Sequence, residues 1–189
     1  MSKINNKKLV KKCLKKVIEG LVLTTIVTTV AYPITTAKAE VKSSATTVKK
    51  VSRKQFVKDC YSRNKTLSEV LILMEENTID AANDMFNLES YASNYYNYYA
   101  ELKELLYTKE EKKALGKHQL KIAKQWNKSL THIMLACDSY YQAFVCGYDD
   151  AALTSANEEV DSFTSEYSKY MNKVDAYIEK YKLQSVIKG

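Results

Sequence analysis

Residues 67–106 read LSEVLILMEENTIDAANDMFNLESYASNYYNYYAELKELL, with neither glycine nor proline in the run. A helix that packs along its length repeats its buried side chains at alternating steps of three and four. Leu67, Leu71, Met74, Thr78, Ala81, Met85, Leu88, Ala92, Tyr95, Tyr99, Leu102 and Leu106 keep that alternation without a slip. The stretch therefore predicts one long helix near 66–107.

Two further rows follow it. Gln119, Ala123, Trp126, Leu130, Ile133, Cys137, Tyr140 and Phe144 form one, and Leu153, Ala156, Val160, Phe163, Tyr167, Tyr170, Val174, Tyr177 and Tyr181 form the other. After residue 51 there is no proline, and glycine occurs only at 116, 147 and 189, so the usual punctuation of strands and hairpins is missing. The fold predicted is all-α: an elongated up-down-up antiparallel bundle of three long helices, near 66–107, 109–146 and 150–184.

The ends of these helices carry their own signals. Thr66 with Glu69, Thr108 with Glu111 and Ser52 with Gln55 have the spacing of a capping box, in which a hydroxyl and a Glu or Gln satisfy orphan backbone N–H groups. Gly147 can take the left-handed turn that closes the second helix, and Asp149 or Asp150 can cap the third. Short connections make neighbours antiparallel, so facing residue numbers should sum to about 215 between the first two helices and about 296 between the last two. Met74, Tyr140 and Ala156 should then share a layer, as should Leu88, Trp126 and Tyr170. Residues 53–63 either prolong the first helix or form a short extra N-terminal one.

The chain opens MSKINNKKLVKKCLKK, a positive region before an apolar stretch near 17–34 that ends at Ala37-Lys38-Ala39. This is the order of a signal peptide, 1–39, with cleavage after Ala39, and the competing reading is an uncleaved membrane anchor. The lysine-rich leader resembles those of Gram-positive bacteria, and the resemblance implies export alone. Residues 40–51, EVKSSATTVKKV, read as a flexible linker onto a helical domain at 52–189. The leader holds eight Lys and one Glu, whereas residues 40–189 hold twenty-one Lys and Arg against twenty-one Asp and Glu. The basic excess leaves with the leader, and no specific nucleic-acid partner is expected.

Three cysteines follow the cleavage site: Cys60, Cys137 and Cys146. Export permits a disulfide, and the predicted topology favours Cys60 with Cys146, leaving Cys137 a core thiol; the alternative is three small buried apolar residues. His118 and His132 lie on one predicted helix about 21 Å apart, too far to ligate one metal together. No Gly-rich phosphate loop, G-x-S-x-G, H-E-x-x-H or C-x-x-C occurs, and the adjacent carboxylates, such as Glu75-Glu76, diverge on a helix. Neither catalysis nor a cofactor or metal is expected.

Tyrosine and charge supply what remains. Tyr91, Tyr96 and Tyr98 leave the seam and are candidates for an aromatic surface, the other reading being padding of a tyrosine-rich core. Seven acids and no base lie between Leu67 and Leu102, while Lys109, Lys113, Lys117, Lys121, Lys124 and Lys128 gather near the opposite end. Lysines in the first turns of a helix oppose its dipole, which marks that basic end as a candidate for an anionic surface. The function expected is a secreted, non-enzymatic interaction protein, retained at the cell envelope or free, with an anionic envelope polymer or an unknown protein as partner. The rival is a membrane-active or toxin-like protein, although no transmembrane segment remains after signal cleavage. The long seam also permits self-association.

Overall fold

The computed structural model describes residues 50–84 and 86–186. The leader, most of the linker and Met85 therefore lie outside the described residues. Five α-helices follow in order: α1 Arg53–Asn83, α2 Leu88–Glu104, α3 Lys109–Ala114, α4 Lys117–Val145 and α5 Asp150–Tyr181, with a 3-10 turn at Gln184–Val186. The fold is all-helical, and α1, α2, α4 and α5 make a four-helix bundle.

The long first row of the sequence is divided between two antiparallel helices. Asn77 Nδ2 donates to the Tyr91 carbonyl at 3.0 Å, Tyr98 Oη to the Leu73 carbonyl at 3.3 Å and Arg63 to the Leu105 carbonyl at 2.7 Å, so α2 runs back along α1. The expected helix over 66–107 breaks at Asp84, whose carboxylate accepts from the Phe86 amide at 3.1 Å. Asn83, Asp84 and Asn87 supply that turn chemistry without glycine or proline. The seam survives because both arms of the hairpin face one core: Leu67, Leu71, Met74 and Thr78 are buried on α1, and Ala92, Tyr95 and Leu102 on α2. Tyr99 is an exception at 37% exposed.

Folding back changes the topology from three members to four, up-down-up-down. Helix α1 is antiparallel to α2 and α5 and lies parallel to α4, its Met74 Sδ meeting Cys137 Sγ at 3.7 Å. The pairs His118–Tyr181, Gln125–Glu166 and Tyr140–Asn157 give α4 and α5 the antiparallel register predicted. Trp126 and Tyr170 do share a layer, their rings 4.8 Å apart. Leu88 does not join them, since it begins α2 at the other end.

The caps decide the remaining boundaries. Ser52 accepts from the Gln55 amide at 3.1 Å, so residues 53–63 are the opening turns of α1, and the Thr66–Glu69 start is not used. Thr108 and Glu111 form the full capping box, with the Thr108 amide donating to Glu111 Oε2 at 2.7 Å and the Glu111 amide to Thr108 Oγ1 at 3.1 Å. The expected helix over 109–146 is interrupted at Leu115 and Gly116, where Gln119 Oε1 accepts from the Gly116 amide at 2.7 Å. Gly147 turns the chain into α5 with φ +76°, and Asp149 caps α5 through the Ala152 amide at 2.7 Å.

Tyrosines fill much of the core because each can span two helices and satisfy its hydroxyl on the far side. Tyr95 hydrogen-bonds Thr78 and stacks on Tyr140 at 4.9 Å, Tyr140 Oη donates to Asn157 at 3.1 Å, and Tyr167 Oη donates to Asn64 at 3.3 Å. Trp126, Tyr95, Tyr140, Tyr170, Phe56, Phe144 and Phe163 are the largest fully buried side chains. Each such burial stabilises by roughly 1.5–3 kcal/mol.

Candidate functional site

The four-helix topology sorts the charges more sharply than the sequence alone implied. The register places residues 67–102 and 129–168 in one half of the bundle, and residues 50–66, 103–128 and 169–186 in the other. The first half holds fourteen Asp and Glu and no Lys or Arg; the second holds eighteen Lys and Arg and six Asp and Glu. Each end of an up-down-up-down bundle carries two helix N-termini and two C-termini, so the backbone dipoles cancel there and do not account for the split.

Within the basic half the lysines are aligned. Lys117, Lys121, Lys124 and Lys128 lie one or two turns apart along α4, and Lys169, Lys173 and Lys180 lie in a row on α5, which packs antiparallel beside it. Neighbours three or four apart on a helix are about 5–6 Å from each other, so the α4 row presents a closely spaced ladder of charge. Among the described residues Lys109, Lys117, Lys121 and Lys124 make no ion pair, while Lys113 meets Glu110 at 2.8 Å and Lys128 meets Glu166 at 3.0 Å. Lys109 and Lys113 belong to α3 and sit apart from the α4 row.

Glu166 marks the boundary between the halves. Hydrogen bonds from Lys169, Gln125 and Lys128 hold its carboxyl down at about 2, so it stays ionised through the neutral range. Gln125 Nε2 donates to it at 2.6 Å, and Gln125 Oε1 accepts from Lys173 at 2.6 Å. One glutamate and one glutamine thus fix three lysines at the equatorial edge of the basic face.

Between the two rows lies an open cleft of about 230 Å³, lined by His118, Lys121 and Ile122 of α4 and by Lys173, Ala176, Tyr177 and Lys180 of α5. Its floor is apolar and its rim cationic. His118 Nδ1 is 2.8 Å from Tyr181 Oη, the Tyr177 and Tyr181 rings meet edge-on at 4.7 Å, and the Arg53 guanidinium lies 4.0 Å over the Tyr181 ring. The sequence showed His118 only as a lone histidine and the α5 lysines only as part of a basic end; the register relating the two helices is what brings them together.

A second cluster at this end is structural. Arg63 reaches Asp59 at 3.2 Å, Glu111 at 2.5 Å and the Leu105 carbonyl at 2.7 Å, with its guanidinium 4.0 Å over the Tyr107 ring. The same Leu105 carbonyl accepts from Trp126 Nε1 at 2.7 Å. Asn127 grips the Tyr107 backbone from both sides, accepting its N–H at 2.8 Å and donating to its carbonyl at 2.9 Å. Val51, the expected end of the flexible linker, docks here too, its amide donating to the Ala114 carbonyl at 3.0 Å.

The thiols do not pair as expected. Cys60 is buried in the basic half, its Sγ 3.7 Å from Tyr107 Oη, whereas Cys146 is exposed where α4 ends at the acidic tip. The two levels are about 30 Å apart by the helical rise. The expected bridge assumed that helix one ran antiparallel to α4, and the fold-back makes them parallel. Burial pushes the Cys60 thiol up to about 11 and moves Cys137 upward as well, so both are neutral at ordinary pH.

The expected aromatic surface is only partly outward. Tyr96 is 70% exposed, but Tyr91 and Tyr98 are half-buried, Tyr98 edge-on to Tyr95 at 5.6 Å. Among the described residues no three His, Cys, Asp or Glu side chains converge as a metal site, and no helix is long and apolar enough to cross a membrane. No protein family model, no curated protein and no solved structure is recognisably similar to this chain.

Proposed function

We propose that the chain is a secreted or cell-envelope-associated, non-enzymatic interaction protein that attaches to an anionic envelope polymer through the lysine rows of α4 and α5. The observation that supports this reading is the sorting of charge into an acidic and a basic half with no compensating helix dipole. Concentrating like charge destabilises a compact fold by self-repulsion, and its benefit lies in steering and holding an oppositely charged partner. A ladder of flexible ammonium groups suits a repeating anion rather than one planar carboxylate. The acidic half would then face away from the envelope.

The test is sedimentation of the purified protein with isolated envelopes at about 50 mM and about 500 mM salt, since added salt shortens the reach of exposed charges to a few ångströms. Binding is expected at the lower concentration and release at the higher. A variant carrying Lys117→Gln, Lys121→Gln and Lys124→Gln should bind at least about tenfold more weakly, because these exposed side chains act by charge alone. Binding insensitive to both salt and these changes sinks the proposal. Dye release from anionic vesicles at the same protein concentration would replace it with a membrane-active reading.

A further inference from the structure

An extended polymer lying across lysine rows has no need of the apolar cleft between them. The cleft holds about 230 Å³, whereas a cavity of roughly 150 Å³ suffices for benzene, so a ring or a branched aliphatic group fits with room for part of a polar head. Its floor is Ile122 and Tyr177, both buried, with Ala176 leaving the space open. Three lysines and one histidine surround that floor, and no carboxylate lines it.

We propose that this cleft binds a small phosphomonoester, its apolar body seated on Ile122, Ala176 and Tyr177 and its phosphate held by Lys121, Lys173, Lys180 and His118. The charge count favours a phosphate over a carboxylate, because three ammonium groups and an imidazole match a near-dianion with three acceptor oxygens. The wall is also held in place before any ligand arrives. Tyr181 fixes His118 at 2.8 Å and is itself covered by Arg53, while Gln125 tethers Lys173 at 2.6 Å. The site shares its lysines with the polymer-binding face but stands on the cleft, and either can fail without the other.

Calorimetric titration of the purified protein with phenyl phosphate tests it, with inorganic phosphate, benzyl alcohol and benzoate as comparators. Phenyl phosphate should bind at least about tenfold more tightly than each comparator, the head and the body both contributing. The pair Lys121→Gln and Lys180→Gln should weaken it by about tenfold or more, by removing two of the rim charges. Ala176→Leu, at an exposed helical position, should abolish it by filling the floor while leaving envelope binding intact. Equal affinity for phenyl phosphate and inorganic phosphate, equal affinity for benzoate, or an Ala176→Leu variant that binds normally would each overturn the assignment. Phenyl phosphate binding without envelope binding would overturn the polymer proposal alone.

Discussion

The two halves of the bundle share one fold and one core but differ in how their polar groups are used. In the basic half Arg63, Trp126 and Asn127 tie the corner 105–116 beneath the opening turns of α1, with a charged guanidinium at its centre. In the acidic half the cross-helix hydrogen bonds join mostly neutral groups, Asn77 with the Tyr91 carbonyl, Tyr98 with the Leu73 carbonyl and Tyr140 with Asn157, and its carboxylates have no lysine or arginine among them. The basic half ties its corner through a charged cluster and presents lysines outward; the acidic half is tied by neutral groups and carries charge that its own half does not neutralise.

The sharpest way to probe that difference is with thiols. Cys146 sits exposed at the acidic tip, while Cys60 and Cys137 are enclosed, so in protein prepared without residues 1–39, which include Cys13, a thiol reagent should titrate one group quickly in the native state and all three after unfolding without reductant. Native-state reaction of the two buried thiols should be at least about a hundredfold slower, because it waits on opening of the bundle. Fewer than three thiols in the unfolded, unreduced protein would mean that a bridge forms after all.

Stability should respond unequally to removing a charged partner from each half. Arg63→Ala leaves Asp59, Glu111 and the Leu105 carbonyl short of a donor and uncovers Tyr107, and should lower unfolding free energy by roughly 2–3 kcal/mol, discounted for the partial exposure of both carboxylates. Glu159→Gln should change it by less than about 0.5 kcal/mol at neutral pH, as partly exposed pairs do. Urea unfolding of the two variants decides the matter, and similar losses would erase the proposed contrast.

The last effect concerns acid. Glu166 has its folded pKa depressed from 4.5 to about 2, so its contribution is complete above the unfolded value and is lost as pH falls from about 4.5 towards 2. Glu166→Gln should therefore flatten that part of the pH–stability curve while leaving the slope above pH 5 unchanged. A parallel downward shift at every pH would show that Glu166 acts through packing or neutral hydrogen bonds instead.

Much of the core was readable from residue types alone, since every buried member of the second and third rows lies where alternating three- and four-residue spacing puts it. Ser52, Thr108, Gly147 and Asp149 marked ends correctly, because capping is local chemistry within four residues. The break at Asp84 was not apparent: a four-residue turn that keeps the seam in phase leaves the periodicity intact, and Asn and Asp cap and turn without the penalty that makes glycine and proline conspicuous. Three such residues at 83, 84 and 87, within a run far longer than an ordinary globular helix, were the available signal.

By itself, then, the sequence determined helix, seam, register between α4 and α5, and the segregation of acids from bases along each segment, all properties of spacing within a few turns. Only the tertiary structure decided that the chain turns back after α1, because the choice between one long helix and a hairpin depends on which faces find partners, and both choices bury much the same seam. That reversal made α1 parallel to α4, parted Cys60 from Cys146 and gathered Arg53, Lys54 and Lys58 onto the end already rich in lysine. The cleft follows from the same cause, since a rim drawn from two helices exists only once their packing fixes which lysines face each other.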